Sequence, residues 1–398
     1  MSSALLPLAL DAYLRDWLDL LLRWLHVIAA IAWIGTSFYF VLLDQSLRPP
    51  KRPEDAEAGV GGELWEVHGG GFYHVQRYRV APPQLPDHLA WFKWEAYTTW
   101  LSGFALLVVL YYLDARANLV DPAVADLSTG EAVGLSAGLL VAAWLAYDVL
   151  CRLLGGRELV LAGCLVALTA VAAWGAGELF APRAAFLQVG AMLGTIMAAN
   201  VLFSIIPAHW ELIRAKEAGR EPDPAPGLAA KRRSVHNNYL TLPVLLTMLA
   251  AHFPFLYQTA RPWLVLVALM LLGAWVRLFY NLRHAGRTHW WMPVAAGIAV
   301  VALAVAIEPD GDTAPTPSGD PAAGRAVFAS AGCGACHALA DAGASGRVGP
   351  SLDAARPSAE LVVERVTNGR GAMPSFRGRL DETQIADVAA YVAAVAGK

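Results

Sequence analysis

At 398 residues the chain has room for two or three domains. Its 57% apolar and 16% charged content, with a mean hydropathy of +0.45, lie outside the soluble globular range and point to an integral membrane protein. A net charge of −3 gives no sign of a nucleic-acid partner, and four cysteines are too few for a disulfide framework.

About eight apolar stretches approach the roughly 20 helical residues needed to cross a hydrocarbon core, at about 17–44, 91–113, 133–154, 158–177, 184–213, 239–259, 262–284 and 290–307. The first is expected to stay in the protein rather than be cleaved as a signal peptide. It is long, Asp11, Arg15 and Asp16 precede it, and no small-x-small site follows. Basic residues collect in alternate loops: Arg48, Lys51, Arg52, Arg77 and Arg79 after the first span, Arg152 and Arg157 after the third, Arg214 to Arg233 after the fifth and Arg287 after the seventh. The positive-inside rule places those loops in the cytoplasm and both termini outside, in a bacterial inner membrane.

Ionisable groups inside a bilayer are functional candidates by default. His26 lies about 13 Å into the first span and His252 about 10 Å from the same side of the sixth, at 1.5 Å per residue. Two imidazoles at one depth are the ligand set of a six-coordinate b haem, so His26 and His252 are read as its iron ligands, the number of such haems being open. His209, His236, His284 and His289 fall near the opposite ends of spans; His284 is kept as an inner-side ligand or substrate contact.

The first loop is unusual. It contains Glu66-Val67-His68-Gly69-Gly70-Gly71-Phe72-Tyr73-His74, and further on Trp91-Phe92-Lys93-Trp94-Glu95. The glycine run fits neither the P-loop nor the dinucleotide fingerprint. Backbone flexibility and close approach to a ligand are what it offers.

Residues 308–320, rich in Pro, Asp, Gly and Thr, read as an exposed tether. Beyond it, Cys333-Gly334-Ala335-Cys336-His337 supplies two thiols for thioether bonds and an imidazole for iron. Met373 provides a thioether on a loop, Gly349-Pro350-x-Leu352 a turn for the haem edge, and the last helix a lid of apolar residues. Residues 321–398 therefore resemble a small class I-type monohaem cytochrome c. Attachment to C-x-x-C-H takes place in the periplasm, in agreement with the orientation from charge.

Several motifs of the membrane part, namely HGGGFY, WFKWEAYTTWLSG, NVLFSIIP, HNNYLTLPVLLTMLAAHFP and FYNLRHAG, resemble the bacterial membrane-bound urate oxidase family, whose members end in a cytochrome c domain. The resemblance implies an all-α polytopic bundle over 1–310, a linker over 311–320 and the cytochrome over 321–398. It implies oxidation of urate to 5-hydroxyisourate, with electrons passing to covalent haem c and on to a further cytochrome c or terminal oxidase. For a flat purine anion, Phe72, Tyr73, Trp91 and Trp94 offer stacking faces, the backbone of Gly69, Gly70 and Gly71 donors, and Lys93 a charge. Glu66, His68 or Glu95 could take the proton. The alternative from another class is a non-catalytic respiratory subunit that takes electrons from quinol or a partner dehydrogenase.

Overall fold

The computed structural model describes residues 12–257, 259–308, 319–369 and 373–398. The stretch read as a tether lies, for 309–318, outside the described residues. The chain divides into two compact units, 1–248 with 263–303, and 249–262 with 304–398.

In the first unit α1 (Ala12–Ser46) leads into an antiparallel hairpin, β1 (Val60–His68) and β2 (Gly71–Tyr78). Then come α2 (Trp94–Leu107), α3 (Thr129–Leu154), α4 (Glu158–Leu179), α5 (Pro182–Asn200), α6 (Ile206–Glu217), α7 (Pro224–Ala250), α8 (Pro262–His284) and α9 (Trp291–Ala306). Among the described residues, five helices are long and apolar enough to cross a membrane: Tyr13–Ser46, Thr129–Leu154, Glu158–Leu179, Pro182–Glu217 and Pro262–His284. The protein is thus a multi-pass membrane protein. The other three expected spans coincide with helices that are interrupted, kinked or short. After α2 the helix runs into a π-turn at Val108–Tyr112, α7 contains Pro243, and α9 has only 16 residues.

Helix irregularities have local causes. Pro207 cannot donate to the carbonyl one turn back, and the π-turn Val201–Ile205 immediately precedes it, joining α5 to α6 without a break. Pro243 likewise frees the carbonyl of Tyr239 inside α7. Small residues let helices approach at these points. A Cβ on Gly273 of α8 would come within 3.2 Å of Leu242 and 3.4 Å of Pro243, and one on Gly190 of α5 would overlap the Thr247 hydroxyl. A capping box starts α3, where Ser128 and Glu131 exchange hydrogen bonds.

The hairpin departs from the all-helical expectation. It is fastened to the end of α1 by backbone bonds between Arg48 and Glu63, 2.9 and 2.8 Å, and by Asp44 pairing with Arg77 at 3.2 Å. Lys231 of α7 approaches the same carboxylate at 3.1 Å.

In the second unit α10 (Pro321–Ser330) packs on α12 (Glu382–Val395), with α11 (Ala359–Asn368) beside them and a two-residue-strand hairpin, β3 (Ala338–Leu339) and β4 (Ala344–Ser345). The α10–α12 crossing is close because residue 324 is glycine: a Cβ there would overlap the Asp387 carbonyl. Phe328, Leu339, Val366, Phe376, Val388 and Tyr391 form the core. Asp320, Ser358 and Asp381 cap the three helices through their side chains.

Candidate functional site

Several places in the first unit and one in the second bring chemistry-bearing side chains together. In the second unit, Gly332 in the left-handed region (φ 75°) starts a short turn, Cys333–Ala335. It carries Cys333, and Cys336 follows it; both are free thiols and half-buried. Burial pushes the Cys333 thiol above its ordinary value. The His337 ring Nδ1 lies 2.9 Å from the Pro350 carbonyl oxygen. A carbonyl only accepts, so Nδ1 carries the proton and Nε2 keeps its lone pair. Gly349 lies flat on this ring, since a Cβ there would overlap Cε1. Met373 packs half-buried against the core cluster. Two thiols, an imidazole in the ligating tautomer and a thioether are the groups that would hold a covalent haem.

The hairpin settles what the glycine run does for the backbone. Gly69 (φ 56°) and Gly70 (φ 83°) form its two-residue turn, closed by the pair His68 and Gly71. Positive φ at both central positions is the geometry that favours glycine in such turns. Phe72 and Tyr73 are 79% and 53% exposed, so neither ring is enclosed. Glu66 accepts from the Tyr39 hydroxyl at 2.6 Å, while His68 stands exposed beside the turn. His74 stacks on Trp65 with centroids 4.3 Å apart and donates from Nε2 to Glu63 at 2.9 Å. The Lys51 backbone N–H, together with His74, holds the Glu63 carboxyl below the usual carboxylate range.

Lys93 is gathered with aromatic residues instead of with the hairpin tip. Its Nζ lies 5.0 Å from the Trp91 centroid, 5.5 Å from Trp94 and 6.0 Å from Trp210. Trp91 itself stacks on Trp210 at 4.8 Å. Glu95 has one carboxylate oxygen buried without a partner among the described residues.

His26 is held by α2. Its Nδ1 lies 3.0 Å from the Thr99 carbonyl and 3.1 Å from Ser102 Oγ, whose own proton goes to the Thr98 carbonyl at 2.6 Å. Both neighbours therefore act as acceptors, Nδ1 is protonated, and Nε2 is the nitrogen left to bind a metal. Gly103 makes room for the ring: a Cβ would sit 2.8 Å from its Cε1. His252 follows α7 as an exposed residue in a turn.

A buried polar system that the motifs did not assign lies between the C-terminal parts of α1 and α8 and the middle of α7. Arg277 Nε donates to Asn238 Oδ1 at 2.9 Å, and Asn281 Nδ2 donates to the same oxygen at 3.0 Å. Asn238, Arg277 and Asn281 are 1%, 4% and 8% exposed. Yet Asn238 Nδ2, Arg277 Nη2, Asn281 Oδ1 and His284 Nδ1 are buried with no partner among the described residues. The guanidinium lies 3.9 Å over the Phe38 ring of α1. Asn238 and Asn281, with Gln45, Tyr239 and Arg287, line a cavity of about 340 Å³. Its sequence signal was an arginine and an asparagine four residues apart in an otherwise apolar span.

A neighbouring system is, by contrast, satisfied. Arg233 donates to Asp148 at 2.6 Å and Asn200 at 3.2 Å, and Asn200 Nδ2 reaches Tyr147 at 2.8 Å and Asn237 at 2.9 Å. The Tyr147 hydroxyl also meets His236 Nδ1 at 2.9 Å. Arg233 and Glu211 border a second cavity, also about 340 Å³.

Comparison with known proteins divides the chain in the same order. Residues 12–308 match the family described as urate oxidase N-terminal, and residues 319–392 the family described as cytochrome c oxidase, cbb3-type, subunit III. Cytochrome c6 of Leptolyngbya boryana is 44% identical over 77 residues, 18% of this chain and 89% of its own. Cytochrome c6 of Picosynechococcus is 42% identical over 94 residues, 20% of this chain and 76% of its own. The crystal structure of the c-type cytochrome SorU from Sinorhizobium meliloti is 48% identical and covers 20% of this chain and 92% of its own, with a TM-score of 0.19.

Proposed function

This chain belongs to the urate oxidase N-terminal family and continues into a cytochrome c domain whose Cys333 and Cys336 imply a covalent haem, and from that premise we propose that it oxidises urate to 5-hydroxyisourate in the membrane and delivers the electrons to its own cytochrome. The observation that carries the proposal is the continuity of the two matched segments, 12–308 and 319–392, in one polypeptide. An oxidase that uses oxygen directly has no need of an attached electron carrier.

The reaction balances as urate plus water giving 5-hydroxyisourate, two protons and two electrons. A haem held there would supply a one-electron acceptor. The chain's own residues do the rest. Cys333 and Cys336 would tether the group, and His337, held by the Pro350 carbonyl, and Met373 would be its iron ligands. In the proposed topology about eight spans cross an inner membrane. The first loop and the N-terminal half of α7 then face the cytoplasm, where a purine catabolite arises, and the cytochrome lies in the periplasm. We further assign His26 as a ligand of a b-type haem, because its tautomer leaves Nε2 free. Of the first-loop residues, Lys93 and Glu95 retain a proposed part in balancing charge and moving protons. Glu66 is tied to Tyr39.

Purified protein supplied with ferricyanide as acceptor tests the reading. Two equivalents should be reduced per urate consumed, with no hydrogen peroxide formed. One peroxide per urate would place electron delivery elsewhere, and reduction by quinol alone would make the chain a respiratory electron-transfer subunit.

A further inference from the structure

Arg277 is a buried cation with no carboxylate paired to it among the described residues. Its Nε is spent on Asn238, its face on Phe38, and its Nη2 on nothing. A buried charge is retained where something compensates it, and no compensating carboxylate stands among the described residues. We infer that the cavity between α1, α7 and α8 binds the substrate anion, as a planar heterocycle that both donates and accepts hydrogen bonds. This rests on the urate reading above and gives it a location.

The amide orientations follow from Arg277. A guanidinium only donates, so Asn238 must turn its oxygen toward Nε, and its Nδ2 faces away as a free donor. Asn281 also approaches that oxygen and must present its nitrogen, which leaves its Oδ1 as a free acceptor. The cavity lining thus offers a donor at Asn238, an acceptor at Asn281 and the Arg287 cation, with Arg277 behind Asn238 and bonded to it. A carboxylate or phosphate supplies acceptors alone and would leave Asn281 Oδ1 unpaired. A quinone supplies no charge. The urate anion alternates ring N–H donors and carbonyl acceptors around a flat, negatively charged ring, and matches the free donor of Asn238 and the free acceptor of Asn281.

The size agrees: about 340 Å³ lies within the roughly 300–1,000 Å³ of small-molecule sites. The other cavity does not compete, because Arg233 already has Asp148 as counter-ion and Glu211 borders the space with a negative charge.

The test is equilibrium dialysis of radiolabelled urate with the full-length protein, held dithionite-reduced so that no electron transfer occurs. Arg277→Met, which frees Asn238 from its orientation, and Asn281→Leu, which removes an acceptor from the lining, should each weaken binding by about 10- to 100-fold. Arg277→Met should not lower the thermal midpoint of the ligand-free protein, since it removes an uncompensated charge; a purely structural arginine would. Gln45→Leu, on the cavity lining, gives a second reading that does not depend on Arg277. Equal affinity for wild type, Asn281→Leu and Gln45→Leu overturns the location while leaving the urate reading intact. Wild-type protein that neither binds urate nor is reduced by it overturns both.

Discussion

Arg277 and Asn238 are joined by a 2.9 Å hydrogen bond that links α8 to α7 one turn before the Pro243 kink. The pair is half of an ionic arrangement: the cation is present, and the residue opposite it is an amide. Asn238→Asp would supply the missing counter-ion within the fold. That variant should unfold at a higher temperature in the absence of ligand and lose urate affinity about 10-fold or more, because breaking into a charged pair costs more than into a neutral one. Thermal melts and dialysis on the same preparation check both halves. Lys93→Ala should affect affinity less than Arg277→Met, since the indoles of Trp91, Trp94 and Trp210 already accompany its ammonium group.

Met373→Ala should leave haem covalently bound, because Cys333 and Cys336 are untouched, and should lower its reduction potential through loss of the soft axial sulfur. A redox titration of the full-length protein reads this directly. An unchanged potential would remove Met373 from the ligand set.

The cytochrome domain should carry an alkaline weakness at Tyr391. Its hydroxyl donates to Asp341 at 2.6 Å, and burial with that hydrogen bond pushes its pKa up to about 12. A folded value above the unfolded one means stabilisation that is complete below about pH 10 and fades as pH rises through about 12. Tyr391→Phe should flatten stability against pH across that window. It should cost about 1 kcal/mol at neutral pH, a modest figure because Asp341 is 41% exposed.

His26 should hold b-type haem if its free Nε2 has the proposed use. Pyridine haemochrome analysis should then find b haem beside c haem in wild type. Gly103→Val, whose side chain would enter the space of the His26 ring, should lose the b haem and keep the c haem. A preparation containing c haem alone would return His26 to a packing role beside Thr99 and Ser102.

The cytochrome was legible from its residues because covalent chemistry fixes spacing: two thiols and an imidazole must follow one another along the chain, and the apolar helices announce themselves by length. The hairpin was not. Gly69 and Gly70 permit both a ligand cradle and a tight turn, and only the pairing of His68 with Gly71 decides between them. Nor was the cavity, though Asn238 and Asn281 lie in two of the motifs that carry the resemblance, with Arg277 just before the second. A sequence shows a polar residue within an apolar span. Which atoms remain unpaired depends on three helices meeting, and Arg277 drew less notice than the histidines although it is the costlier group to bury.

The most direct test of the central claim is anaerobic rapid mixing of urate with the oxidised full-length protein while the c-haem α-band is followed. The account predicts reduction of the haem at a rate that saturates with urate concentration, nearly abolished in Arg277→Met while dithionite still reduces that variant fully. A haem that stays oxidised in wild-type protein under excess urate, yet reduces at once with quinol, would contradict it.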